Sequence, residues 1–122
     1  MKRLGAAIAL LSLAAGIALW SGYVFRSCMD YFENQLLQIL VSPDEQMEEK
    51  TQNISDEWMK RSAFLRSVFV HKGIDELEIL ITSLPMTLKY SGSDGMKEKC
   101  IEGINLIRNL KSCEKLSLEN VL

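Results

Sequence analysis

Residues 4–25 carry no charge and almost no strong polarity, and beyond them apolar positions recur at steps of three and four. An uncharged run of 22 residues, at about 1.5 Å per residue, makes about 33 Å of helix, enough to cross a hydrocarbon core of about 30 Å. After it, Met29, Phe32, Leu36, Leu37, Ile39 and Leu40 keep helical spacing. The first helix is therefore expected to leave the membrane and continue as an amphipathic stalk to about Val41. Ser42-Pro43-Asp44-Glu45 reads as a stop and a fresh start: a capping serine, a proline suited to the first helical position, and a glutamate able to reach back to the cap.

The second helix carries an apolar stripe at Ile54, Trp58, Leu65, Val68 and Phe69, and His71-Lys72-Gly73 has the character of a C-terminus. Asp75-x-x-Glu78 then repeats the capping pattern ahead of Leu77, Leu80, Ile81, Leu84 and Leu88. Within that third helix Pro85 predicts a kink or an end near Leu84. Ser91-Gly92-Ser93-Asp94-Gly95 is the most loop-like stretch of the chain. Met96, Cys100, Ile104, Ile107 and Leu110 predict a fourth helix, ending between Asn109 and Glu114, with an apolar tail that packs back on the bundle. No segment alternates as a strand would. The expected fold is all-α: an N-terminal transmembrane helix continuing into a stalk, then a small antiparallel three-helix bundle or an extended hairpin array. The corresponding division is an anchor over 1–25, a stalk over 26–42 and an extracytoplasmic helical domain over 43–122.

A signal peptide competes with the anchor for the N-terminus, because Lys2 and Arg3 precede the apolar run. The run continues through Trp20, Tyr23 and Phe25 without a small-x-small cleavage site, and Trp20 with Tyr23 suits an interfacial belt. Both details favour an uncleaved anchor. The amino terminus, Lys2 and Arg3 flank one side, whereas Arg26 on the other is soon followed by Asp30 and Glu33. This asymmetry predicts a cytoplasmic N-terminus and a C-terminal domain outside the cell membrane.

Charge narrows the choice of partners. Taking Lys2 and Arg3 from the 14 basic residues leaves 12 against 16 acidic ones, a net of −4. Such a domain has no electrostatic attraction for phosphate, and nucleic acid is set aside as a partner. The expected partners are membrane lipid, through the N-terminal helix, and a membrane protein or a second copy of the chain. Small residues at Gly5/Ala9 and Ser12/Gly16 have a spacing that lets two spanning helices approach closely.

Three cysteines cannot form a complete set of intramolecular disulfides. Cys100 and Cys113 are expected to pack as small apolar side chains, and Cys28, just past the apolar run, as an interfacial thiol able to link two copies.

The histidine count is one, His71. It rules out any site with two imidazoles, and neither a metal site nor a cofactor is predicted. Its expected place is the helix-two C-terminus, within reach of Asp75 across the turn. Trp58 is expected as a core anchor, with a ligand-facing aromatic as the alternative. Trp58, His71 and Asp75 are thus candidate structural or contact positions. No activated nucleophile and no phosphate-cradling glycine loop accompanies them, so the chain does not read as an enzyme.

The basic start and apolar helix, Trp58, the stretch Phe69-Val70-His71-Lys72-Gly73-Ile74-Asp75-Glu76-Leu77-Glu78 and the closing Leu116-Ser117-Leu118-Glu119-Asn120-Val121-Leu122 together resemble a bacterial membrane-anchored family known only as a domain of unknown function. The resemblance implies a helical extracytoplasmic domain in Gram-positive, often spore-forming bacteria, encoded near a multi-spanning membrane protein, with no established activity. Pro85 and the 91–95 run depart from that family's helix-rich pattern. The functional expectation is a membrane-anchored helical interaction or accessory protein that binds or steadies a membrane partner. The alternative is an extracytoplasmic ligand-binding or sensor module with a pocket near Trp58 and His71.

Overall fold

The computed structural model describes the backbone of residues 2–68 and 72–121, and the side chains of residues 2–67 and 73–113. These residues form three helices: α1 (Lys2–Leu40), α2 (Asp44–Val68) and α3 (Lys72–Val121). α3 is bent at Gly92, the one residue inside it with non-helical angles (φ 76°, ψ −173°). Its two arms, 72–91 and 93–121, lie side by side, since a Cβ on Gly103 of the second arm would come 2.8 Å from Leu80 Cδ2 of the first. The same Cβ would come 3.0 Å from Leu36 Cδ1 of α1. Gly103 therefore marks a point of close approach between the second arm and both of its neighbours.

The core is a seam of alternating three- and four-residue steps. On α1 it comprises Gly22, Phe25, Met29, Phe32, Leu36 and Ile39. On α2 it runs through Met47, Thr51, Ile54, Trp58 and Leu65, and on α3 through Ile74, Leu77, Ile81 and Leu84, then Met96, Cys100, Ile104, Ile107 and Leu110. A mean step of 3.5 residues keeps each seam facing its partners along the length of a bundle. Small hydroxyl residues occupy some seam positions of α2 without leaving orphaned polar atoms: Thr51 Oγ1 donates to the Glu48 carbonyl (3.0 Å) and Ser62 Oγ to that of Met59 (3.1 Å).

All-α architecture and packed antiparallel helices agree with expectation, and five details do not. The segment 26–42, expected as a stalk beneath the bundle, is part of the bundle, because Met29, Phe32, Leu36 and Ile39 are at most 1% exposed. Ser42 does not act as an N-cap; its hydroxyl turns back to donate to the Gln38 carbonyl (2.5 Å) and accepts from Lys50 Nζ (2.6 Å). A serine at the end of one helix can satisfy that helix as readily as the next. α3 passes through Pro85 unbroken, with Ile81 and Leu84 fully buried just before it; their packing holds the helix together across the missing hydrogen bond. The loop expected over 91–95 shrinks to Gly92 alone, and helix continues to Val121 rather than ending between Asn109 and Glu114. How the apolar side chains of 116–122 pack lies outside the described residues.

Candidate functional site

Trp58 is fully buried at the middle of α2. Its ring meets Phe32 of α1 edge to face, with centroids 5.0 Å apart at 63°. A buried indole needs an acceptor for its N–H; here Nε1 donates to Glu78 Oε1 of α3 at 3.3 Å. The other oxygen of Glu78 receives the Arg66 guanidinium of α2, which also faces Asp75 Oδ1 at 3.9 Å. Trp58 and Asp75 therefore belong to one line of contacts, Trp58–Glu78–Arg66–Asp75, that ties α2 to the first arm of α3. α3 starts at Lys72, so Asp75 lies inside its first turn and is not a residue ahead of the helix. His71, and with it the contact expected between His71 and Asp75, lies outside the described residues.

The two side chains that make this constellation were not singled out from the sequence. Glu78 has the place of the far half of a capping box in the sequence, and Arg66 falls off the apolar stripe of α2. The available signal was the indole itself, since a core tryptophan on one helix calls for an acceptor on the facing helix. Chemically the group holds helices together. Both carboxylate oxygens of Glu78 are engaged, one by the indole and one by the guanidinium. Trp58 itself is fully buried, and the His71 side of the pocket expected there lies outside the described residues.

A second charged group ties the ends of the chain together. Arg108 Nε and Lys111 Nζ, on the second arm of α3, donate to the two oxygens of Glu33 on α1, each at 2.8 Å. Lys111 also reaches Asp30 Oδ1 at 2.5 Å. The Lys111 bond, then that from Arg108, holds the Glu33 carboxyl below its ordinary value of 4.5. Burial pulls the Lys111 ammonium down, but its bonds to Asp30 and Glu33 outweigh this and leave it above its ordinary 10.5. A carboxylate lowered on folding stabilises the fold above its unfolded pKa and loses that contribution as pH falls through the folded value; a raised ammonium stabilises below its unfolded pKa and loses the contribution as pH rises through the folded one. The clamp is thus complete between about pH 5 and pH 10. Glu33→Gln is expected to lower the urea midpoint at pH 7 and to bring variant and parent closer together below pH 4. A gap that stays the same across that range would show that Glu33 ionisation adds nothing.

Of the two cysteines expected to pack, one does so. Cys100 is buried, as expected, and burial pushes its thiol up to about 12; its Sγ lies 3.4 Å from Met96 Sδ. Cys113 is exposed rather than packed, because it falls outside the seam that includes Ile107 and Leu110. Iodoacetamide applied to the folded chain at pH 8 is expected to modify Cys113 quickly and to leave Cys100 unmodified until urea is added. Equal rates at the two thiols would contradict this core.

Open grooves lie among the described residues, two of them between helices of the bundle. One runs between the arms of α3 and is lined by Glu76, Ile79, Ser83, Glu102 and Asn105. The other lies between α2 and the first arm, at the end remote from the N-terminus, lined by Glu48, Gln52, Ser55, Thr82 and Lys89. Among the described residues no three His, Cys, Asp or Glu side chains gather to hold a metal ion. The chain matches no family model, no curated protein and no solved structure. Its function is therefore argued from geometry.

Proposed function

We propose that this chain is a membrane-anchored helical accessory protein that binds or steadies a membrane partner, with its N-terminus cytoplasmic and its bundle outside. The observation that carries the reading is the continuity of α1. One unbroken helix has an apolar first half, the candidate span, whose residues 2–20 are exposed, and a second half whose apolar stripe packs into the bundle core. A rigid helix shared between lipid and bundle core transmits position from one to the other, which suits a subunit or scaffold. The same continuity favours a retained anchor over a signal peptide: Gly22 and Phe25 are core residues, so cleavage near the end of the apolar run would cut into the bundle.

Residues 26–42 turn their apolar stripe into the bundle and so do not offer it to a partner. The span itself takes over that role, either against a membrane protein or against a second copy. The resemblance to a membrane-anchored family of unknown function is part of the same proposal. A sensor is the second reading, favoured by the groove that Gln52, Ser55, Thr82 and Lys89 line.

Cross-linking the full chain in its own membrane and isolating it through a C-terminal tag tests the proposal, with a copy carrying a foreign anchor as control. One stoichiometric membrane protein, or a second copy of the chain, that is recovered with the native anchor and lost with the foreign one would support it. Recovery of a fragment lacking the apolar run, free of membrane, would overturn it.

A further inference from the structure

We propose that the membrane-proximal end of the bundle is itself a lipid-contact surface, with Phe64 of α2 joining Trp20 and Tyr23 of α1 in the interfacial layer of the bilayer. This rests on reading α1 as a membrane anchor.

The first argument is length. Packing on α1 begins at half-buried Ser21 and buried Gly22, while residues 2–20 are exposed throughout. Nineteen residues of helix span about 28 Å, no more than the hydrocarbon core of about 30 Å. No length is left over to lift the bundle clear of the head groups, so its lower end meets them.

The second argument is what stands at that end. The Phe64 ring lies edge to face with Trp20, centroids 6.3 Å apart at 79°, so α2 descends to the level at which the span begins. Trp20, Tyr23 and Phe64 are 56%, 73% and 40% exposed. Aromatic rings with an apolar body are the side chains that settle at a membrane–water boundary. Phe64 comes from a different helix, so it gives the bundle a second point of contact off the axis of the span. With two contacts the bundle resists tilting over the top of the span, and its lower end stays against the bilayer.

Beyond Lys2 and Arg3 the chain has a net charge of −4, and Arg66, two residues beyond Phe64, is paired with Glu78 and Asp75, so apart from Arg26 this end offers little charge to anionic head groups. The seat is therefore aromatic and apolar, and its depth should not depend on anionic lipid or on salt.

Brominated phosphatidylcholine, which quenches tryptophan on contact, reads this directly in full-length protein reconstituted in bilayers. Single-tryptophan chains are made by Trp20→Phe and Trp58→Phe, with one reporter each at Leu11→Trp in the span, Phe64→Trp at the seat and Met86→Trp on the remote part of the bundle. Quenching at position 64 is expected to reach about half that at position 11 or more, with little at position 86, and to be the same in neutral and anionic bilayers and at high salt. Strong quenching at 11 with none at 64 would overturn the seat and leave the anchor standing. No quenching at 11 would overturn the anchor, and the seat with it. Quenching at 64 that needs anionic lipid would replace the apolar seat by an electrostatic one. Should the substituted chains fail to fold, a diazirine-bearing phosphatidylcholine applied to the unsubstituted protein gives the same reading: label on the α2 peptide containing Phe64 but none on the peptide containing Met47 is expected, and the absence of label from both overturns the seat.

Discussion

Replacing Trp58 with alanine is expected to lower the stability of the bundle by about 3–5 kcal/mol. Trp58 is the largest side chain in the fully buried core, and it joins partners on the two other helices. Phe32 of α1 loses its edge-to-face contact, the core gains a cavity between α1 and α2, and the Glu78 oxygen that accepts the indole N–H loses its donor. Arg66 still pairs with the other oxygen, so the carboxylate is not stranded, and the cavity dominates the loss. Trp58→Phe separates the contributions, because it keeps an aromatic ring against Phe32 and removes only the N–H and part of the volume. Its expected cost is about 1–2 kcal/mol. Urea unfolding of the full chain in detergent, followed by helical circular dichroism, measures both. Against a typical domain stability of about 5–15 kcal/mol the alanine variant should be marginal at 25 °C. A loss below about 1 kcal/mol for alanine would mean that the indole is not packed as described.

How far the fold could be read in advance varied with the kind of signal. Phe32, Leu36, Ile54, Trp58, Ile81 and Ile107 announce helical faces by spacing alone, because a buried face must repeat with the helix period whatever it packs against. Which face packs on which is not local information. Met29 to Ile39 looked like a free amphipathic stalk, since the same stripe serves a helix that carries a bundle and a helix that forms its centre. Glu78 and Arg66 were hidden for a related reason: each looks like an ordinary surface charge until antiparallel α2 and α3 bring them beside Trp58. Glu33 and Lys111 are 78 residues apart in the chain, and no local pattern pairs them. Punctuation was misread where a stronger tertiary effect competed with it. The proline at 85 is tolerated beside a packed pair of core residues, and the polar 91–95 run gives up only one residue to the corner. The sites selected from the sequence fared according to the same logic. Trp58 was legible as an anchor because a large aromatic in an apolar stripe has few other uses, whereas the role of Asp75 depends on Arg66 of another helix.

Gly92→Ala is expected to shift the folded chain, relative to the parent, toward an exchanged dimer. Gly92 combines φ 76° with ψ −173°, a region that residues with a Cβ essentially never occupy, at a cost of about 1–3 kcal/mol. No neighbour lies within 4 Å of the added Cβ, so the penalty comes from the backbone alone and side-chain repacking cannot relieve it. The chain has one inexpensive escape, since helix borders Gly92 on both sides: residue 92 becomes helical and α3 straightens. Its 50 residues would then extend about 75 Å, and residues 93–121 could no longer return to their own bundle. Their seam of Met96, Cys100, Ile104, Ile107 and Leu110, together with the partners of Glu33, would be satisfied only by α1 of a second copy, which is domain exchange about a straightened hinge. Light scattering on the size-fractionated variant should show a dimer that grows with protein concentration, while helical content stays at or above that of the parent. Gly16→Ala, in the exposed part of α1 with no neighbour within 4 Å of its Cβ, should leave the oligomeric state unchanged. A Gly92→Ala chain that remains monomeric with undiminished stability would show that the corner does not depend on a left-handed residue, and that the two arms of α3 meet in some other way.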